Sequence, residues 1–235
     1  MSVATTHDPL APVSTRVEGF TSGGMDISVE VFAPADRDEG LPVVVFLHGA
    51  DGLSAGRFTT DYRRFATTLA GRGFVVAFPR YFERTGHGGR SADPITVLMS
   101  FLTWASTVDD AVGFAQALPE ADHGRLALLG TSLGGTLAID AAARDSRVKA
   151  LVDVFGGFPD VIAQRVKRLP PTLILHGESD PVVPVGDSRR FAAHLLKLRV
   201  EHELMVYPRA GHGFTGADEA DAIDRVAKFL EKHLL

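Results

Sequence analysis

Cysteine is absent from the 235-residue chain, and its absence removes several chemistries at once. There is no disulfide, no thiolate metal site and no thiol nucleophile. Such a chain fits a reducing compartment. A positive excess is missing too: 24 Lys and Arg against 29 Asp and Glu leave a net charge of −5, with no basic run. That argues against a nucleic-acid binder held by phosphate contacts. Long apolar runs are also lacking, and none approaches the roughly 20 residues of a membrane span. The first fifteen residues are polar and carry neither a basic start nor an apolar core like that of a secretion signal. The expectation is a cytoplasmic protein with neither a membrane nor a nucleic acid as partner. What is present is ordinary for a globular protein, 45% hydrophobic and 23% charged residues. The length suits one domain with a sizeable core.

The most informative stretch is Leu126-Ala127-Leu128-Leu129-Gly130-Thr131-Ser132-Leu133-Gly134-Gly135, followed by the Ala-rich run Thr136 to Ala143. A short apolar run enters a Gly-x-Ser-x-Gly turn and a good helix former leaves it. Strand, sharp elbow and helix expose a strained serine at the top of a sheet. Glycines are needed there because a Cβ would crowd the neighbouring strand and helix. A second match, Gly52-Leu53-Ser54-Ala55-Gly56, has no strand directly before it and no immediate helix-forming run after it. Ser54 is therefore read as a loop residue.

Residues 1–14 are expected to form a flexible arm and residues 15–235 a single domain. Val17 to Phe20 and Ile27 to Phe32 read as a hairpin, the second strand alternating like a solvent-facing edge. Val43 to Leu47 is continuously apolar, as in a strand buried on both faces. From there strand and helix alternate. Tyr62 to Ala70 is a helix and Phe74 to Phe78 a strand. Ile95 to Leu118 is a helix broken near Ser106. Leu126 to Leu129 and Val148 to Phe155 are strands, as are Thr172 to Leu175 and Glu203 to Tyr207. Ser188 to Leu198 and Glu219 to Leu235 are helices. The predicted fold class is α/β: a mostly parallel sheet flanked by helices, an antiparallel N-terminal hairpin and no separate lid domain. The Gly- and Arg-rich loop Arg80 to Pro94 is the candidate cover.

Catalysts in such sheets sit beyond the carboxyl ends of the strands. Ser132 follows one strand. Asp180 follows another in His176-Gly177-Glu178-Ser179-Asp180-Pro181-Val182-Val183-Pro184. His212 follows the last in Gly211-His212-Gly213-Phe214, and His48-Gly49-Ala50-Asp51 follows the first buried one. The order Ser, Asp, His is that of a hydrolase triad on this kind of sheet. Ser132 is read as nucleophile, His212 as base and Asp180 as the orienting acid, with Asp153 as the rival acid. The backbone N–H groups of Leu133 and Ala50 are the expected oxyanion donors. His48 and His176 are read as scaffold. Phe82, Trp104, Phe155, Phe158 and Phe214 are candidates for an apolar pocket, some of them belonging instead to the core.

These motifs, with Phe78-Pro79-Arg80-Tyr81-Phe82-Glu83-Arg84, resemble the α/β-hydrolase superfamily from about residue 15 to the end, and within it the dienelactone hydrolase family. The resemblance implies that Arg84 binds a substrate carboxylate; as a residue, it reads equally as a solvated loop arginine. Two features depart from the family. Its namesake enzymes use a cysteine at the elbow, where this chain has Ser132. They also carry a glutamate where Gly49 stands and a second arginine where Gly216 stands. The expected function is cleavage of small carboxylic esters or lactones by Ser-His-Asp acyl transfer, with no metal or organic cofactor. The alternatives are a peptidase or acyl-aminoacyl hydrolase, or a catalytically silent ligand-binding protein of the same fold.

Overall fold

A computed structural model describes residues 11–37, 39–53 and 56–235, the side chains of residues 56–61 aside. The apolar run from Val43 forms most of β3 (Leu41–Leu47), buried along its whole length. Successive side chains leave opposite faces of a strand. Val43, Val45 and Leu47 therefore enter one core while Val44 and Phe46 enter the other. The same division runs through β4 (Val75–Pro79), β5 (Ala121–Thr131), β6 (Val148–Val154) and β7 (Thr172–Gly177). With β1 (Val13–Ser22), β2 (Met25–Pro34) and β8 (His202–Tyr207) they make one eight-stranded sheet, in the order β1-β2-β4-β3-β5-β6-β7-β8. Strands β3 to β8 are parallel, and the β1–β2 hairpin joins them antiparallel through β2 and β4.

Helices α1 (Gly56–Gly71) and α6 (Ala217–Leu234) cover one face. Helices α2 (Pro94–Gln116), α3 (Leu133–Arg144) and α5 (Val185–Leu198), with the short α4 (Asp160–Ala163), cover the other. Among the described residues no helix is long and apolar enough to cross a membrane.

The expected α/β architecture is therefore present, with local differences. The edge strand is β1, which alternates exposed and half-buried residues; β2 lies between β1 and β4 and is buried over most of its length. β1 starts at Val13, inside the stretch expected to be an arm. Helix α2 runs unbroken past Ser106, which is exposed and so demands no buried partner. Its start is fixed by Asp93, whose carboxylate accepts from the Ile95 and Thr96 N–H groups. Ser54 lies outside the described residues.

Candidate active site

The elbow between β5 and α3 is as tight as its glycines suggest. A Cβ on Gly130 would lie 2.1 Å from the Gly134 carbonyl oxygen, and one on Gly134 would lie 2.2 Å from that of Leu47. Between them Ser132 holds φ 53° and ψ −120°, a left-handed strain that a serine does not adopt freely. The serine N–H donates to the Val154 carbonyl at 2.9 Å, which ties the elbow to the end of β6.

Two further loops are locked together beside it. Gly177, the last residue of β7, packs so closely that a Cβ would stand 2.3 Å from the Gly211 carbonyl oxygen and 2.5 Å from that of Ala210. The Ser179 N–H donates to the Ala210 carbonyl at 3.0 Å. The loop after β7 and the loop after β8 therefore form one body, and it carries both Asp180 and His212. Gly213, at φ 136°, closes the turn that presents the histidine.

The result is a continuous hydrogen-bonded chain. His212 Nδ1 lies 2.7 Å from Asp180 Oδ2, and His212 Nε2 lies 3.0 Å from Ser132 Oγ. An ionised carboxylate only accepts, so Nδ1 carries the proton and bare Nε2 faces the serine hydroxyl. The Asp180 side chain is fully buried, and both of its oxygens are hydrogen-bonded. Its Oδ1 accepts from the Val182 and Val183 N–H groups at 2.8 and 2.9 Å. Its Oδ2 also lies 3.3 Å from His176 Nε2. The aspartate thus caps the following turn with one oxygen and holds His212 with the other. His176 is buried, bonded to Ser188 Oγ at 2.7 Å and to the Val183 carbonyl at 2.9 Å, and burial lowers its pKa.

Asp153 is not in this chain. It is the penultimate residue of β6, beneath the elbow, and accepts the Gly156 N–H at 3.1 Å. Total burial raises its pKa to about 7. A carboxyl that keeps its proton so readily, with no bond to His212, is unsuited to orient an imidazolium.

The Leu133 and Ala50 N–H groups, both expected as oxyanion donors, make no hydrogen bond among the described residues. Leu133 opens α3, where such a donor has no partner within the helix. The Ala50 loop is fixed from several sides. Its carbonyl accepts the Ala92 N–H at 2.7 Å, and the Leu53 N–H donates to Gly89 at 2.9 Å. The Gly49 N–H donates to Tyr62 Oη at 2.9 Å. A Cβ on Gly49 would sit 3.2 Å from Ser132 Cβ, so the missing side chain lets the loop close on the nucleophile.

One of the expected substrate contacts, Phe82, is corrected here, and a second, Arg84, rests on the β1–β2 hairpin. Phe82 is completely buried, stacked on Trp104 at 4.2 Å and edge-on to His48 at 4.7 Å, so it presents no surface to a substrate. An aromatic ring buries a large apolar area there and gains from the stacked and edge-on contacts. Arg84 lies with its guanidinium against Gly23 in the β1–β2 turn, where a Cβ on that glycine would be 1.9 Å from Arg84 Nη2. It makes no hydrogen bond or ion pair among the described residues. The third, Phe214, follows His212 by two residues in the same loop. With Tyr62, Phe65, Thr131, Val154, Phe155, Gly213 and Glu219 it lines a cavity of about 30 Å³, the size of a water site rather than an acyl pocket. Phe155 has φ 45° and sets its ring 4.8 Å from that of His212.

His48 is the scaffold residue expected. It is fully buried, stacked on Tyr81 at 4.1 Å, and burial lowers its pKa to about 4. Tyr62 and Thr131 were not legible as site residues. A tyrosine inside a helix and a threonine before a serine carry no local signal; only the fold brings them together. Among the described residues no three His, Asp or Glu side chains converge as a metal site requires.

The sequence pattern of the dienelactone hydrolase family matches residues 27–234. The chain belongs to that family. A Methylorubrum extorquens relative named "Putative carboxymethylenebutenolidase" is 30% identical over 86% of this chain and 75% of its own length. A Salmonella typhimurium relative of the same name is 26% identical over 96% and 88%. Among solved structures, the dienelactone hydrolase-like promiscuous phosphotriesterase P91 from metagenomic libraries superposes with TM-score 0.79 at 18% identity. That match covers 95% of this chain and 99% of P91. At that identity the likeness shows the shared fold. As a member of the family, this chain is a hydrolase of the dienelactone hydrolase type.

Proposed function

We propose that the protein is a serine hydrolase that cleaves small carboxylic esters or lactones by acyl transfer at Ser132. The observation that carries this reading is the unbroken chain from Ser132 Oγ to His212 Nε2 at 3.0 Å and from His212 Nδ1 to Asp180 Oδ2 at 2.7 Å. In the proposed reaction His212 takes the serine proton as Oγ attacks the carbonyl carbon. The Leu133 and Ala50 N–H groups receive the developing oxyanion. The tetrahedral species collapses as His212 protonates the leaving alcohol. The same histidine then activates water to release the acid and free Ser132. Asp180 holds the tautomer throughout and stabilises the imidazolium. Family membership favours ester and lactone substrates over peptides. Arg84, turned to the hairpin, is assigned no role in this mechanism.

A fluorophosphonate probe and a panel of p-nitrophenyl esters, lactones and aminoacyl anilides test the proposal. Wild type should label and turn over an ester or lactone. Ser132→Ala should abolish labelling and cut turnover by on the order of 10³-fold or more. An unlabelled wild type, or labelling that survives in Ser132→Ala, refutes it.

A further inference from the structure

Among the described residues, Tyr62 is the one side chain that bonds to both halves of the proposed oxyanion site. It projects from α1 between the loop after β3 and the end of β5. Its hydroxyl accepts the Gly49 N–H at 2.9 Å and the Thr131 hydroxyl at 3.1 Å, and donates to Asp51 Oδ1 at 3.3 Å. A phenolic oxygen has one proton to give and two lone pairs to fill, so its capacity is used in full. The partners are arranged around the reaction. Gly49 and Asp51 flank Ala50, whose N–H is one oxyanion donor. Thr131 precedes Ser132 and Leu133, which supply the nucleophile and the other donor. The hydroxyl lies 3.3 Å from the point a Gly49 Cβ would occupy, and Ser132 Cβ lies 3.2 Å from that same point.

We propose that the Tyr62 hydroxyl is the positioning residue of the oxyanion site, setting the spacing of the Ala50 and Leu133 N–H groups without touching the substrate. The inference rests on acyl transfer at Ser132 as proposed above. Two N–H groups borne on separate loops stabilise an oxyanion only if their separation is fixed before reaction. The elbow is rigid on its own, through Gly130, Gly134 and the bond to Val154. The Ala50 loop comes from a different strand, and Tyr62 couples it to the elbow. Burial, with Asp51 nearby, pushes the phenol pKa above its ordinary value, so the donor to Asp51 stays in place at any working pH. The ring itself serves the core, edge-on to Phe46 at 5.6 Å and tilted against Phe78 at 5.5 Å. Phenylalanine keeps that packing and removes only the hydroxyl.

The test compares wild type, Tyr62→Phe, Thr131→Val and the double variant. Turnover is expressed per serine labelled by fluorophosphonate, and a phenylboronic acid serves as mimic of the tetrahedral species. Tyr62→Phe should lower kcat about 5- to 50-fold with KM within about twofold, and weaken the boronate by a similar factor; losing an oxyanion donor outright costs on the order of 10²- to 10³-fold. Thr131→Val should do the same to a lesser degree, and the double variant should lose less than the product of the single losses. An unchanged kcat per labelled serine in Tyr62→Phe overturns the proposal. So does a loss confined to KM, or one the boronate does not follow. Should Tyr62→Phe fail to fold, Thr131→Val decides on the same criteria. Failure of wild type to label sinks the acyl-transfer reading and this one together. Normal labelling with an indifferent Tyr62→Phe sinks this one alone.

Discussion

At the scale of single residues, the most consequential buried group outside the Ser132–His212–Asp180 chain is Asp153. It is wedged against Gly135 and Gly156, where an added Cβ would come within 2.2 and 2.1 Å of its Oδ1. Among the described residues no cation offsets its burial, and Asp187 adds repulsion, so its pKa rises to about 7. An unfolded aspartate titrates near ~3.9. Below both values native and unfolded chains each hold the proton. Between about pH 4 and 7 the unfolded chain ionises while the native one does not. The stability this group contributes is therefore complete in acid and is lost as pH rises through about 7. At ~1.4 kcal/mol per unit the loss amounts to about 4 kcal/mol. Asp153→Asn cannot ionise. Urea unfolding from pH 4 to 8 should show the variant gaining on wild type by that order, since all other groups cancel in the difference. A difference independent of pH would mean that Asp153 is already ionised in the fold.

At the scale of elements, the site depends on two loops docked through one glycine. Ala at position 177 would place a Cβ against the Ala210 and Gly211 carbonyl oxygens, backbone on both sides with nowhere to move. The loops carrying Asp180 and His212 must then part. A displacement of ~1 Å in a catalytic group can cost about 10²-fold in rate. Gly177→Ala should therefore lose about 100-fold in kcat/KM and melt earlier, while far-UV circular dichroism keeps its αβ form. Gly186→Ala, with nothing within 4 Å of the added Cβ, is the matched control and should behave as wild type. This dependence also explains what was readable beforehand. The apolar run at 43–47 and the Gly130–Gly134 spacing are local facts, and they expose a strand and an elbow directly. The ten-residue β1 and the charged start of β5, Asp122-His123-Gly124-Arg125, were under-read because edge pairing and exposed ends tolerate polar residues. Phe82 was misplaced for a related reason, and where Arg84 rests was not legible either. Sequence shows that a loop begins at the catalytic edge, but not that its 3-10 turn at Tyr81–Thr85 folds the phenylalanine into the core and the arginine onto Gly23. Glu83 makes that turn fast by accepting the Ser28 N–H at 2.7 Å.

At the scale of the whole molecule, the sheet has unequal edges. The stretch matching the family pattern starts at residue 27, inside β2, so β1 lies outside it. Yet β1 pairs with β2 over all ten residues, Val13 with Pro34 through Ser22 with Met25. Beyond it, β2 meets β4 only from Val29 to Phe32. Ile27, Val29, Val31, Phe32 and Ala33 are all buried. Strand β1 blunts this apolar edge as exposed edges are usually blunted, with charge: Arg16 pairs with Glu18 and Glu120, and Glu18 is itself on the strand. Its end is pinned to α2, where Ser22 Oγ donates to Asp110 at 2.7 Å and lies 3.1 Å from Thr107 Oγ1. A chain beginning at Met25 would leave an apolar strand with a free edge, most of its pairing gone. Such an edge is a template for pairing with a second chain. Light scattering and size exclusion on that truncated protein should find oligomers or precipitate at concentrations where the full chain is monodisperse. Its thermal midpoint should also fall. Adding Lys at Val29, where the strand is buried, should not restore solubility, whereas Lys at Met25, already exposed, should do so in part. If the truncated chain is monodisperse and melts with the full-length protein, β1 contributes neither to stability nor to protection of the β2 edge.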